Sequence, residues 1–460
     1  MTENAQKPTR DMATGSVGKL MVQMAVPALV GQVVNLLYNI VDRIYIGHIP
    51  EIGGLALTGV GLFTPLLMLI TAFAMMAGAG GAPRAAIAMG RGEKDKAEII
   101  VGNCFTVLLI LAGILTAAFY FTIPTLVRLF GASDATAPYA VTYGRIYVLG
   151  AVFVLITMGM NTFITTQGFA KISMLTTVIG AGINIVLDPI LIFGLDMGVA
   201  GAAVATVLSQ AVSAVWILLF LTGKKTILRL KVSNMKLIPS IILPCLGLGI
   251  SSFIMVSTES ILSISFTSSL SRFGGDVAVG AMTVLTSINQ LITMPLSGIC
   301  QGGQPLISFN YGAGKLGRVK EAFFCQFGVC VAYTTVFWAM LMLLPNVFAG
   351  IFTSDPALVD YTAWAMRVFL ACGFSVGFQI SCQQAFMALG QAKISLVMAL
   401  LRKVILLIPM IFILPNFFED KAFAVFLAEP VSDIVAAAVT TVMFFRFFVG
   451  LMKQGQKAKR

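Results

Sequence analysis

Apolar runs of helix-spanning length follow one another along the whole chain, separated by short stretches where Lys, Arg, Asp, Gly and Pro collect. A helix needs roughly 20 predominantly apolar residues to cross a bilayer. Breaking the chain where charge or Gly/Pro/Asp clusters interrupt the runs predicts twelve membrane helices. They begin near Lys19, Leu55, Ala97, Pro138, Ile172, Gly198, Leu237, Val277, Val319, Leu358, Ile394 and Ala422. The first run is too long for a secretory signal and carries no A-x-A-like cleavage site, so it is expected to stay as the first span. The fold class that follows is an all-α polytopic membrane protein.

The pattern repeats. Sliding the chain by 222 residues lays Gly80-Gly81-x-Pro83 over Gly302-Gly303-x-Pro305 and Gly90-x-Gly92 over Gly312-x-Gly314. The same shift matches Phe105 with Phe327, Phe130 with Phe352, Tyr139 with Tyr361, Arg145 with Arg367, and GxAKIS at 168–173 with GxAKIS at 390–395. Before residue 50 the shift becomes 217, which sets Pro27 on Pro244 and Asp42 on Glu259. Such polar and conformationally special residues in register mark an internal duplication. Six helices per repeat is an even number, so both repeats insert with one polarity and are related by an axis along the membrane normal. The expected organisation is a tail over 1–16, a six-helix lobe over 17–222, a basic linker over 223–236, a second six-helix lobe over 237–450 and a basic tail over 451–460.

Composition agrees: 58% of the residues are apolar and 11% charged, outside the range of soluble domains. The net charge of +11 is a topology signal. One set of segments, which includes both tails, holds 21 Lys and Arg; the opposite loops hold Arg128, Arg272 and Lys421 alone. By the positive-inside rule both termini are cytoplasmic. Basic residues dispersed over short loops do not describe a nucleic-acid surface. Seven Cys, odd in number and never spaced CxxC, are expected as small buried hydrophobes without disulfides or zinc.

Against this background Asp42, Asp188 and Glu259 stand out, each inside an apolar stretch. A carboxylate at the bilayer centre costs about 2.5–3.5 kcal/mol on insertion scales, so it marks a cavity or ion path. Counted from the nearest turns at about 1.5 Å per residue, Asp42, Asp188 and Thr206 fall roughly 8–15 Å below the outer surface. Asn184, four residues before Asp188, shares its helix face. Pro189 lacks an N–H, which favours a kink there and leaves a carbonyl free. Asp42, Asn184, Asp188 and Thr206 can thus form an oxygen cage for Na⁺, or an acid pair that takes up H⁺. Tyr38 and Asn35 lie on the face of Asp42, a polar stripe suited to a substrate cavity or to polar packing. Arg43, about 100° away around the helix, is a poor partner for Asp42. Glu259 lies nearer the midplane of the second lobe. Glu429 and Asp433, spaced i to i+4, are expected to face water or to be paired. Arg145 and Arg367 are expected to snorkel.

The segments VDRIYIG (41–47), GRGEKDKAE (90–98), QGFAKISM (167–174), NIVLDPILIFG (184–194), GVAGAAVAT (198–206), GICQGGQPLISFNYGAG (298–314) and ALGQAKISL (388–396) occur in this order. Together they resemble the multidrug and toxic compound extrusion (MATE) transporters. The branch resembled is the bacterial and archaeal one, related to DNA-damage-inducible protein F and the staphylococcal-type multidrug exporters. The resemblance implies a twelve-helix antiporter that expels organic cations against an inward flow of H⁺ or Na⁺. It also implies that the acid, Asn, Asp and Thr of an N-lobe coupling-ion site are Asp42, Asn184, Asp188 and Thr206, and that Tyr38 and Asn161 line the cavity. Glu259 matches a helix-seven acid of another branch; helix ten offers only Asp360 at its edge, so that second site looks incomplete.

The function expected is secondary active efflux of cationic or amphipathic compounds. One charge moving inward at 100 mV supplies about 2.3 kcal/mol, and no GxxxxGK[ST] phosphate loop is present. A flippase for lipids or lipid-linked oligosaccharides is the nearest alternative, and it would need a cationic central cavity. An intramembrane enzyme is more remote, because the chain has a single His, no HExxH and no paired-Asp magnesium motif. Accordingly no enzymatic activity, no cofactor beyond the coupling ion and no nucleic-acid partner are expected, and the chain is expected to act as a monomer among membrane lipids.

Overall fold

The computed structural model describes residues 12–130, 132–352 and 356–457; residues 1–11 of the expected N-terminal tail and 458–460 of the C-terminal tail lie outside it. Among the described residues the chain is helical throughout, without strands.

Twelve spans follow in order. They are α1 (Val17–Gly47), α2 (Gly53–Gly90), α3 (Lys94–Leu129), α4 (Ala137–Leu149 and Ala151–Thr166), α5 (Ala170–Gly194) and α6 (Gly198–Thr222). The second lobe holds α7 (Pro239–Gly275), α8 (Val277–Gly312), α9 (Leu316–Leu343), α10 (Pro356–Phe369 and Gly373–Ala388), α11 (Ala392–Asn416) and α12 (Lys421–Lys457), with a short helix Pro345–Phe352 before α10. The fourth helix of each repeat is broken, by 58° in α4 and 51° in α10. The fifth of each carries a π-helical turn, Ile190–Gly194 in α5 and Leu401–Leu407 in α11. Each predicted start falls within a few residues of an observed one. Between α7 and α8 the chain reverses at Gly275, whose φ of +65° is open to glycine.

Large apolar side chains cover the outside of the bundle, Val22, Val186 and Leu219 among them at 59–66% exposed, as a lipid-facing surface requires. Two apolar cores lie within. One joins Phe63, Phe163 and Leu155 of the first lobe to Phe323 and Phe444 of the second. The other, around Phe266, Phe369 and Phe426, belongs to the second lobe. All seven Cys are free thiols.

The duplicated glycines explain the repeat. A Cβ on Gly80 would strike the backbone of Cys245 and Gly249 on α7, and one on Gly302 would strike Ala25 on α1. Gly81 and Gly303 make room within their lobes for the side chains of Cys104 and Gln326, which are themselves 222 apart. Gly80 and Gly302 therefore let helices of opposite lobes touch backbone to backbone.

Two polar straps cross on the face that bears the termini. Residues 226–238, leading into α7, are moored to the first lobe. Gln167 Oε1 accepts from Ile227 N (2.7 Å), Leu228 N (2.9 Å) and Thr226 Oγ1 (2.8 Å). Buried Glu98 accepts from Arg229 N and pairs with Lys231. Asn103 accepts from Ile238 N at 2.7 Å and donates to the carbonyls of Asn234 and Lys236. Reciprocally, residues 12–15, leading into α1, are moored to the second lobe. Asn310 and Arg318 donate to Met12 O, Arg318 to Gly15 O and Lys315 to Ala13 O.

Candidate functional site

Asp42 on α1, Asn184 and Asp188 on α5 and Thr206 on α6 converge in the first lobe at 9%, 1%, 0% and 7% exposure. The first acid stands against the second, and Asn184 Nδ2 donates to Asp188 Oδ1 at 3.2 Å. The i to i+4 spacing on α5 produces that bond, and Pro189 with the π turn behind it ends the regular helix directly after the acid. Thr206 donates to Ala202 O at 3.0 Å, and Tyr143 of α4 stands beside it. Arg43 is exposed, on another side of α1.

Asp42 Oδ1, Asp188 Oδ2 and Asn184 Oδ1 are buried without a donor. Buried carboxylates side by side repel unless a proton or a metal cation stands between them. Three donor-free oxygens from two helices therefore suit a small hard cation or a shared proton.

Sequence reasoning missed the wall behind this site. Tyr143 and Tyr147 of α4 stack at 6.1 Å, and Phe63 meets both edge-on at 5.8 Å. The i to i+4 spacing of the two tyrosines was the signal available.

One helical turn away the spans part around a cavity of about 360 Å³, within the range of small-molecule sites. Asn35, Tyr38 and Asn161 all line it, beside Met75, Gln210 and Gln301. Among the described residues that line it there is no Lys, Arg, Asp or Glu. Tyr38 is the link to the acids, because Asp42 lies four residues further along the same face of α1. Asn161 donates to Ser173 O at 3.2 Å, and its Oδ1 is without a donor.

In the second lobe the structure extends what the sequence indicated. Glu259 is paired with Lys403, whose Nζ also donates to Met255 O at 2.7 Å. Glu429 and Asp433 are buried at 6% and 5% exposure, so of the two settings expected for them pairing is the one observed. Arg402 Nε bonds Asp433 at 2.7 Å and its Nη2 bonds Glu429 at 3.2 Å. Asp360 is exposed, and no ion pair among the described residues includes it. Arg145 lies over the ring of Tyr120 at 5.4 Å.

Two six-helix repeats, a central cavity between them and a buried polar site beside it define a membrane carrier of the two-lobed, repeat-built class. The MatE family model matches residues 27–190 and 251–413, and the chain belongs to that family. It is similar to the multidrug export protein MepA of Staphylococcus saprophyticus, 23% identical over 436 residues, which cover 94% of this chain and 96% of that one. A MATE crystal structure in the bent conformation superimposes with a TM-score of 0.90 at 25% identity, covering 99% of this chain and 100% of the other. An outward-facing multidrug resistance MATE transporter of the MOP superfamily does so with 0.89 at 25% identity, over 98% and 99%.

Proposed function

We propose that this protein exports cationic or amphipathic organic compounds from the cytoplasm, drawing on the inward flow of H⁺ or Na⁺ through the site at Asp42, Asn184, Asp188 and Thr206. The observation that carries this reading is the contact of two buried acids with donor-free oxygens, one turn from an uncharged cavity. Cation uptake between the acids neutralises them; release leaves a negative pair beside Tyr38 that favours a positively charged guest. An uncharged, Met- and Gln-containing lining suits guests of varied shape. The lack of Lys and Arg in that lining argues against a phosphate-bearing lipid as cargo.

The termini and the basic loops share one face, which we assign to the cytoplasm. On that side the glycine contacts hold the lobes together. On the other, α7 presents Glu259, Ser263 and Thr267 as exposed polar residues in a stripe continuous with cavity-lining Ser252 and Val256. Polar groups at that depth belong in water rather than lipid, so the arrangement is open to the outside, with both termini inside and the chain in the cytoplasmic membrane.

Ethidium efflux in inverted vesicles under an imposed pH or Na⁺ gradient tests this. Asp42→Asn and Asp188→Asn should each lower efflux at least tenfold under the driving gradient, and wild-type rates in both variants would refute the coupling assignment. Which gradient drives the wild type identifies the ion.

A further inference from the structure

The second lobe gathers five charged side chains where the first buries an acid pair. Glu259, Glu429 and Asp433 face Arg402 and Lys403, which leaves one negative charge in excess. The two cations are used differently. The Arg402 fork closes on Glu429 and Asp433, whose side chains are 8% and 7% exposed. The Glu259 side chain is 56% exposed while that of Lys403 is 6% exposed. This pair therefore has one open side, and Glu259 carries it on the face of α7 whose residues Ser252, Met255 and Val256 line the cavity.

Lys403 also has a second resting place. Its ammonium donates to Met255 O, so it keeps a partner when the carboxylate turns elsewhere. The π turn over Leu401–Leu407 lets neighbouring residues on one helix serve α12 through Arg402 and α7 through Lys403.

We propose that Lys403 is a built-in counter-cation that organic cations displace from Glu259, so that the second lobe exchanges a tethered ammonium for its substrate's positive charge where the first lobe exchanges a free ion. Glu259 is then the substrate-facing carboxylate of the cavity mouth, and Lys403 a positioning residue that sets how tightly a monovalent organic cation is held there. Guests carrying a quaternary or protonated amine are favoured, and neutral guests are indifferent to Lys403.

This inference rests on the export reading above. The test is equilibrium binding of ethidium to the full-length protein in detergent, followed by fluorescence polarisation. Lys403→Met should tighten binding about tenfold or more, Lys403→Arg should stay within about twofold of wild type, and Glu259→Gln should weaken it. In the Glu259→Gln background, Lys403→Met should change nothing. Unchanged or weaker binding by a Lys403→Met protein that unfolds at the wild-type temperature overturns the proposal. Should Lys403→Met not fold, acetic anhydride labelling of Lys403 in the wild type decides. Saturating ethidium should raise the labelling rate several-fold, and an unchanged rate overturns the competition. Wild-type protein that neither binds nor exports ethidium overturns this inference and the export reading together. Export that persists with no tightening in Lys403→Met overturns this one alone.

Discussion

Gly90 and Gly312, equivalent positions of the two repeats, close a single seam from opposite sides: a Cβ on Gly90 would collide with the Phe309 carbonyl, and one on Gly312 with the Ile87 carbonyl. Ile87 and Phe309 are themselves 222 apart, so the contact is its own image under the repeat. Gly90→Ala or Gly312→Ala should force the lobes apart on the face bearing the termini. The expected outcome is at least a tenfold loss of efflux, with faster thiol labelling of cysteines introduced on that face. Gly113→Ala, where a Cβ meets nothing within 4 Å, should leave both measurements unchanged.

Gln167 holds three donors of the linker on one carbonyl oxygen. Gln167→Leu strands the Ile227 and Leu228 amides, at about 1–3 kcal/mol for each group left unsatisfied, while Thr226 keeps Leu228 O as an acceptor. Thermal unfolding in detergent should show a drop of several degrees. Gln167→Glu, which keeps the acceptor, should lose less.

Arg402 neutralises two buried acids at once. Removing one partner of a buried ion pair costs about 3–5 kcal/mol, whereas replacing the whole group with neutral residues is often close to neutral. Arg402→Met should accordingly lower the yield of folded protein sharply. Combined with Glu429→Gln and Asp433→Asn it should recover, as judged by size-exclusion profile and unfolding temperature.

Tyr143 is buried beside Thr206 and within the field of Asp42. Tyr143→Phe removes a polar hydroxyl from beside the site while its ring keeps the packing against Phe63 and Tyr147. The concentration of coupling ion needed for half-maximal efflux should shift by no more than about tenfold, with the maximal rate retained. A Thr206→Val variant should reproduce the shift.

The twelve spans were legible because helix length, apolar runs and charged breaks all follow from one constraint, the thickness of the bilayer. The acids were legible for the same reason, since Asp42 and Asp188 violate the local pattern and Asn184 sits at helical spacing from its partner. What escaped was tertiary. Nothing in the order Arg402-Lys403 says that adjacent side chains will reach two different helices, because that depends on where α7 and α12 pack around a π turn. Glu98, Asn103 and Gln167 read as ordinary polar residues near helix ends, and only the folded linker reveals them as buried anchors. Tyr143 and Tyr147 were lost among the many aromatics of an apolar chain.

The crossed straps carry a consequence for how the molecule moves. Each repeat is entered through a segment fastened to the other, at α3 for the linker and at α8 and α9 for residues 12–15. Separating the lobes at that end stretches both moorings together, because the two are laced in opposite directions across one axis. Neither can slacken first. Opening at that end is thereby expected to be concerted, with loss of one mooring weakening the other.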